Sequence, residues 1–417
     1  MSPTEPTRRR PIEGAGALDR RSFLRAGVGL VAGAGLLDVA CGHEAQDRRR
    51  VAIVRQADYD LAAVRTALSR AFDLLDGIGS LVSGKTVTVK VNLTGYAESL
   101  FGRPPGETYV THPATALALT GLLKDLGAAR VRLVESCQSA ETFERFAASF
   151  SWETASLVAL GNVTFENTRN RGSGSSYSRL DVSGTPRLFS HFLLNHCYAD
   201  GDVMISLAKM KNHVTAGVTL SMKNMFGITP NALYGVEAGV KGEDATGYRG
   251  CLHNRGEGGV PTLPGELGGF EERDAFFRVP RIIADLAAAR PVDLAIIDGI
   301  TTLSGGEGPW NQWDSPLELL TPGVLIVGRN AVSTDAVGVR VMGYRDPLAA
   351  RGSAPFAFCD NHIRLAHEAG LGEGDVARIE VVGESIDAVG VRFARLDRGT
   401  GVPRLARACP GEMRLTG

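Results

Sequence analysis

Apolar and polar positions along this 417-residue chain switch repeatedly between the short period of a strand and the longer period of a helix. Residues 51–55 form an apolar run, and residues 61–75 place apolar side chains at helical spacing. Residues 85–91, KTVTVKV, predict a strand from their β-branched content. A helix over 114–126 is stopped by Gly127, and 131–134 is the next strand. The polar stretch NTRNRGSGSSYS, 167–178, reads as a loop or hairpin tip, after which 203–207 reads as a strand buried on both faces. Residues 230–272 hold no sustained period, with Lys241, Arg249, His253 and Arg255 scattered through them. Order resumes as a helix over 279–289, strands over 292–297 and 324–327, helices over 331–342 and 356–369, and a last strand over 379–382. Strands alternating with helices predict an α/β fold. Its sheet is largely parallel with helices on both faces, as one elaborated domain or two packed lobes.

The amino terminus has a different pattern. Residues 19–40 read DRRSFLRAGVGLVAGAGLLDVA, in which adjacent Arg20 and Arg21 precede Phe23, Leu24 and an apolar stretch ended by Asp38. This looks like a twin-arginine export signal, and the stretch is too short to be a permanent membrane span. Cys41 resembles a lipoprotein acceptor cysteine, although Asp38 stands where such signals carry Leu; ordinary cleavage after Gly42 is the other processing event. The chain thus divides into a signal region (1–42), a charged linker (43–50), an α/β domain (51–390) with an irregular insertion (230–272), and a basic tail (391–417). The expected partner is the twin-arginine machinery, and the expected destination is the periplasm or the outer face of the cytoplasmic membrane. Membrane contact is expected only through the signal region or a lipid anchor.

Charge narrows the function classes. Lysine plus arginine number 45 and aspartate plus glutamate 46, so no basic surplus points to nucleic acid. Cys41, Cys137, Cys197, Cys251, Cys359 and Cys409 are far apart and form no CxxC pair. That spacing does not support an iron–sulfur cluster and predicts buried small residues, with a single disulfide left open.

Candidate chemistry concentrates in residues 202–227, DVMISLAKMKNHVTAGVTLSMKNMFG, where Lys209, Lys211, His213, Lys223 and Asn224 interrupt an apolar, small-residue stretch. They begin where a buried strand ends, which is where open α/β sheets place ligands. A helix over 215–224 would set Thr215, Thr219 and Lys223 on one face. Lys90 and Asn92 end one strand, Glu135 and Ser136 another, and Asp298 a third, followed by the glycine-rich TTLSGGEGP. That glycine run lacks the ending of a P-loop and the spacing of a dinucleotide fingerprint. Lys90, Asn92, Lys209, Lys211, Thr219, Lys223 and Asn224 are therefore expected to bind a small anion. His213 and His112 are the acid–base candidates, because histidine titrates near neutral pH. Glu135, Asp298, Glu307 and Asp335 are the oxygen ligands that a divalent metal would use, and the cofactor is otherwise open.

The chain also resembles domain-of-unknown-function family 362. The resemblance rests on KVNL at 90–93, THP at 111–113, ES at 135–136, LAKMKNH at 207–213, TLSMKNMFG at 219–227, IIDGI with GGEGP, and STDAVGVRVMG at 333–343. It implies a fold and no settled reaction. Many relatives carry an added ferredoxin-like cysteine segment, and this chain lacks it. Three readings follow: an exported enzyme acting on a small anionic substrate or cofactor, a non-catalytic binding protein or cofactor carrier with 230–272 as a lid, and a redox accessory protein.

Overall fold

The computed structural model describes residues 48–254, 263–270, 274–310 and 316–395. The signal region with Cys41, most of the basic tail and Cys409 lie outside the described residues.

Eight strands form one sheet: β1 (Arg50–Arg55), β2 (Thr86–Lys90), β3 (Arg130–Glu135), β4 (Val163–Asn167), β5 (Val203–Lys209), β6 (Leu294–Gly299), β7 (Val324–Gly328) and β8 (Glu380–Gly383). Their spatial order is β8, β1, β7, β6, β5, β2, β3, β4. Only β7 runs antiparallel to its neighbours, β1 and β6; every other pair is parallel. The expected α/β architecture is therefore the observed one.

Strands covered on both faces need apolar side chains on both, and β6 shows how this works. Ile296 packs into a core with Leu68 of helix α1 (Leu61–Leu74) and Leu119 of α2 (Pro113–Asp125). Its neighbour Ile297 packs into the opposite core. There it meets Met222 of α3 (Ser221–Met225), Ile283 of α4 (Ala275–Ala289) and Val337 of α5 (Ala331–Val341). Among the described cysteines, Cys137, Cys197 and Cys359 are buried free thiols and Cys251 is disulfide-bonded.

Two expected helices are redrawn. Residues 215–224 do not form one helix: Lys211–His213 and Gly217–Thr219 pair as an antiparallel hairpin, and helix begins only at Ser221. Gly217 has φ +77°, which favours glycine, and β-branched Val218 and Thr219 suit the extended strand that follows. The helix expected from 356 starts at His362 (α6, His362–Glu368), where Asn361 accepts from the N–H groups of Ile363 and Arg364.

Asp335 caps rather than coordinates. From α5 its two oxygens accept the backbone N–H groups of Ser221 and Met222, each at 2.8 Å, and so begin α3. Burial pushes its carboxyl up from 3.8 to about 8, against those two bonds. A raised carboxyl pKa favours the protonated native state. Its contribution to stability is fully present below 3.8 and is lost as pH rises through about 8. Asp335→Asn should remove that slope: the wild type, relative to this variant, loses stability between pH 5 and pH 8 in urea unfolding. Asp335→Ala strands both N–H groups and should cost about 1–3 kcal/mol.

A candidate anion-binding cavity at the strand ends

A cavity of about 430 Å³ opens beyond the carboxyl ends of β2, β5 and β6. Its lining includes Asn92 after β2, Lys211 and His213 on the hairpin after β5, Thr215, and Thr219 with Lys223 further on. Glu307 and Trp310 reach it from the glycine run after β6, and Tyr248, Arg249 and His253 from the irregular 230–272 segment.

Of the residues expected to bind an anion, Asn92, Lys211, Thr219 and Lys223 line this cavity; Lys90, Lys209 and Asn224 do not. Lys90 Nζ is spent on Glu135 Oε1 at 2.6 Å and on the Val91 carbonyl at 2.7 Å. Glu135 in turn accepts from the backbone N–H of Leu93 and Ser136. A Cβ at Gly227 would stand 2.8 Å from Lys90 Nζ, which explains the glycine in MKNMFG. Asn224 ties the pair to the sheet, donating to the Lys90 carbonyl and Ser206 Oγ. Lys209 Nζ lies 3.5 Å from Asp298 Oδ2 and donates to the Gly106 carbonyl and Tyr59 Oη. Tyr59 and Thr115 both donate to Asp298. These are closed structural networks, each removed from water and satisfied internally.

His112 is likewise structural. Its Nδ1 accepts from Ala114 N–H to cap α2, and its ring stacks on Tyr59 at 3.7 Å. Burial and then Lys209 push it down to about 3, and it does not line the cavity. The four proposed metal ligands do not converge. Glu135 and Asp298 serve separate lysines, Asp335 caps α3, and Glu307 alone faces the cavity. Among the described residues, no three of them bring ligand atoms within 4.8 Å of one another.

What remains in the cavity is a cationic wall with one carboxylate. Lys211 donates to the carbonyls of Tyr109 and Glu307 at 2.7 and 3.1 Å. Arg249 donates to those of Thr229, Ser136 and Gly227. The Lys223 ammonium lies 4.7 Å from the Phe226 ring centroid and has no hydrogen-bond or ion-pair partner among the described residues. Burial lowers Lys211 to about 7 and Lys223 to about 8, with Glu307 opposing in both. Thr215 N–H donates to His213 Nδ1, so the neutral ring carries its proton on Nε2, 2.6 Å from Glu307 Oε2. A second proton would have to displace the Thr215 bond, and burial already pushes the ring down to about 4. Burial pushes Glu307 up, but His213, Lys223 and Lys211 outweigh it and hold the carboxylate ionised.

Sequence reasoning noted Arg249 and His253 only as scattered polar residues and did not find Tyr248 or Trp310. Trp310 has a signal readable only in three dimensions: its ring packs where a Cβ on Gly308 would stand, at 2.7 Å. Its Nε1 donates to Glu307 Oε1 at 3.1 Å.

The fold and site define an α/β protein with a positively charged, small-molecule-sized cavity on the strand rim. Residues 87–340 match the family described as domain of unknown function DUF362, and the chain belongs to that family. It is 25% identical over 265 residues to the thylakoid-associated protein sll1697 of Synechocystis sp., covering 59% of this chain and 77% of that protein. A Thermotoga maritima protein of known crystal structure aligns at 13% identity with a TM-score of 0.33. That alignment covers 64% of this chain and 55% of the Thermotoga protein.

The paired and unpaired lysines should separate by mutation. Lys209→Met leaves Asp298 buried without its countercharge and should destabilise by about 3–5 kcal/mol. Lys223→Met removes a cation that has no partner and should leave stability unchanged or raised. Urea unfolding of the two variants reads the difference directly; equal losses would mean that Lys223 is structural too.

Proposed function

We propose that this chain is an exported enzyme that binds a small organic anion in the strand-rim cavity. Lys223 supplies the free charge and Arg249 the fixed positive field, Lys211 and Lys223 are the amines that handle protons, and neutral His213, held by ionised Glu307, is a polar contact to the ligand. The observation that carries the reading is Lys223. A half-buried ammonium group that lines the cavity, with no hydrogen-bond or ion-pair partner among the described residues, leaves its charge available to a ligand. Among the described residues lining the cavity, three cationic side chains face a single carboxylate. Asn92 Oδ1 and Thr219 Oγ1, beside them, are buried without hydrogen-bond partners.

Perturbed groups clustered in a cleft favour catalysis over passive binding, because amines poised near neutral pH can accept or deliver a proton where the anion sits. The lining aromatics Trp310, Tyr248 and Phe226 suit a ligand with an apolar or planar body beside its charge. Export is supported by the twin-arginine pattern at 19–40. The name of the Synechocystis relative, thylakoid-associated, supports a location at or beyond a membrane.

The anion reading is tested by thermal unfolding of the full chain against inorganic phosphate and a panel of phosphorylated and carboxylated metabolites. A ligand at one hundred times its Kd should stabilise by about 2.7 kcal/mol, and Lys223→Met should abolish the shift. Affinity should fall as pH rises from 7 to 9, because the cavity loses the Lys211 charge near 7 and the Lys223 charge near 8. A shift that survives in Lys223→Met would place the ligand elsewhere. Export is tested separately. Replacing Arg20 and Arg21 together by lysine should hold the precursor in the cytoplasm on cell fractionation, whereas undiminished export would exclude the twin-arginine route.

A further inference from the structure

We propose that Glu166, His196 and Cys197 form a binding site for a zinc-type divalent transition metal, separate from the anion cavity. Glu166 lies in β4, and His196 and Cys197 lie in the turn before β5. None of the three lines the cavity. One ligand atom from each residue lies within 4.8 Å of the other two. His196 Nε2 is 3.5 Å from Glu166 Oε1 and 3.8 Å from Cys197 Sγ. Tetrahedral zinc with ordinary bond lengths sets such atoms roughly 3.3–3.6 Å apart, so a small inward shift would close the site.

The surroundings carry the argument beyond a chance cluster. His196 Nδ1 lies 2.9 Å from Asp200 Oδ2, the carboxylate contact that orients a metal-bound imidazole and leaves Nε2 for the ion. Asp200 is itself anchored by an ion pair to buried Arg132. The loop RGSG, 171–174, folds directly over the ligands: a Cβ on Gly172 would collide with Glu166 Oε1, and one on Gly174 would meet His196 Cδ2 at 2.7 Å. Ser173 Oγ, 3.0 Å from His196 Nε2, is placed to occupy a fourth position or to hold a water there. A thiol with an imidazole and one carboxylate suits a borderline-soft ion and not magnesium or calcium. His196 and Glu166 remain partly exposed, which leaves an entry path, while Cys197 is buried. Burial, and after it Glu166, pushes the Cys197 thiol up to about 12. Metal binding would break the S–H bond, form the sulfur–metal bond and release the proton to solvent.

Ser173, His196 and Asp200 also have the spacing of a nucleophile, base and orienting acid. That reading is weaker because Ser173 Oγ also lies 2.9 Å from Glu166 Oε2, and a carboxylate there repels the anion that an attacking serine must stabilise.

The experiment uses the full chain with no histidine tag, dialysed after zinc loading, then loaded with cobalt(II) as a spectroscopic probe. The expected result is one retained zinc per chain and a thiolate-to-cobalt charge-transfer band. Both should be lost in His196→Ala and Cys197→Ser and unchanged in Lys223→Met. Asp200→Asn should bind zinc about 10–100-fold more weakly. If Cys197→Ser does not fold, the wild-type cobalt band and the partly exposed Glu166→Gln variant decide instead. Absence of the band in the wild type overturns the site, as does zinc that persists in both His196→Ala and Glu166→Gln.

Discussion

Three ammonium groups carried to the strand rim, those of Lys90, Lys209 and Lys211, have been taken out of water, and the structure is organised by how each is compensated. Lys90 and Lys209 each meet a carboxylate from a neighbouring strand end, Glu135 of β3 and Asp298 of β6, and exhaust their remaining protons on fixed oxygens. Removing a charge from water is repaid only when partner and hydrogen bonds are both in place. These two pairs therefore bind β2 to β3 and β5 to β6 at the level of the site. The unpartnered Lys223 is only half-buried and lines the cavity, so it keeps solvent that Lys90 and Lys209 have lost.

This distinction sets the limit of what could be read from the chain alone. Strands such as KTVTVKV and helices such as 61–74 were legible because apolar period and β-branched content both point to the same element. The rim was legible because polar residues begin where apolar strands end. Which lysines face the cavity was not. Lys90 and Lys223 sit in similar apolar settings in the sequence, and what separates them is that Glu135, 45 residues beyond Lys90, arrives in register on β3. The metal set failed for the same reason, since Glu135 and Asp298 look free until their lysines are placed.

The hairpin shows a subtler ambiguity. Thr215, Thr219 and Lys223 are spaced by four, and that spacing suggested a single helical face. All three do line the cavity, yet they do so from a turn, a strand and a helix in succession. A period measured over three residues is satisfied by more than one backbone path, and Gly217 decided between them locally. Arg249, His253 and Tyr248 come from a segment without period, so their approach to the site rests wholly on long-range packing.

The neighbours of the first strand have a consequence for synthesis. Among the described residues β1 pairs only with β7 and β8, whose residues begin at Val324 and Glu380, so it has no sheet partner until the chain has been made as far as Val324. Its run of Val51, Ala52, Ile53 and Val54 is buried in the finished sheet and stays an open, sticky edge until then. The growing chain must therefore be kept from other exposed edges until β7 has emerged.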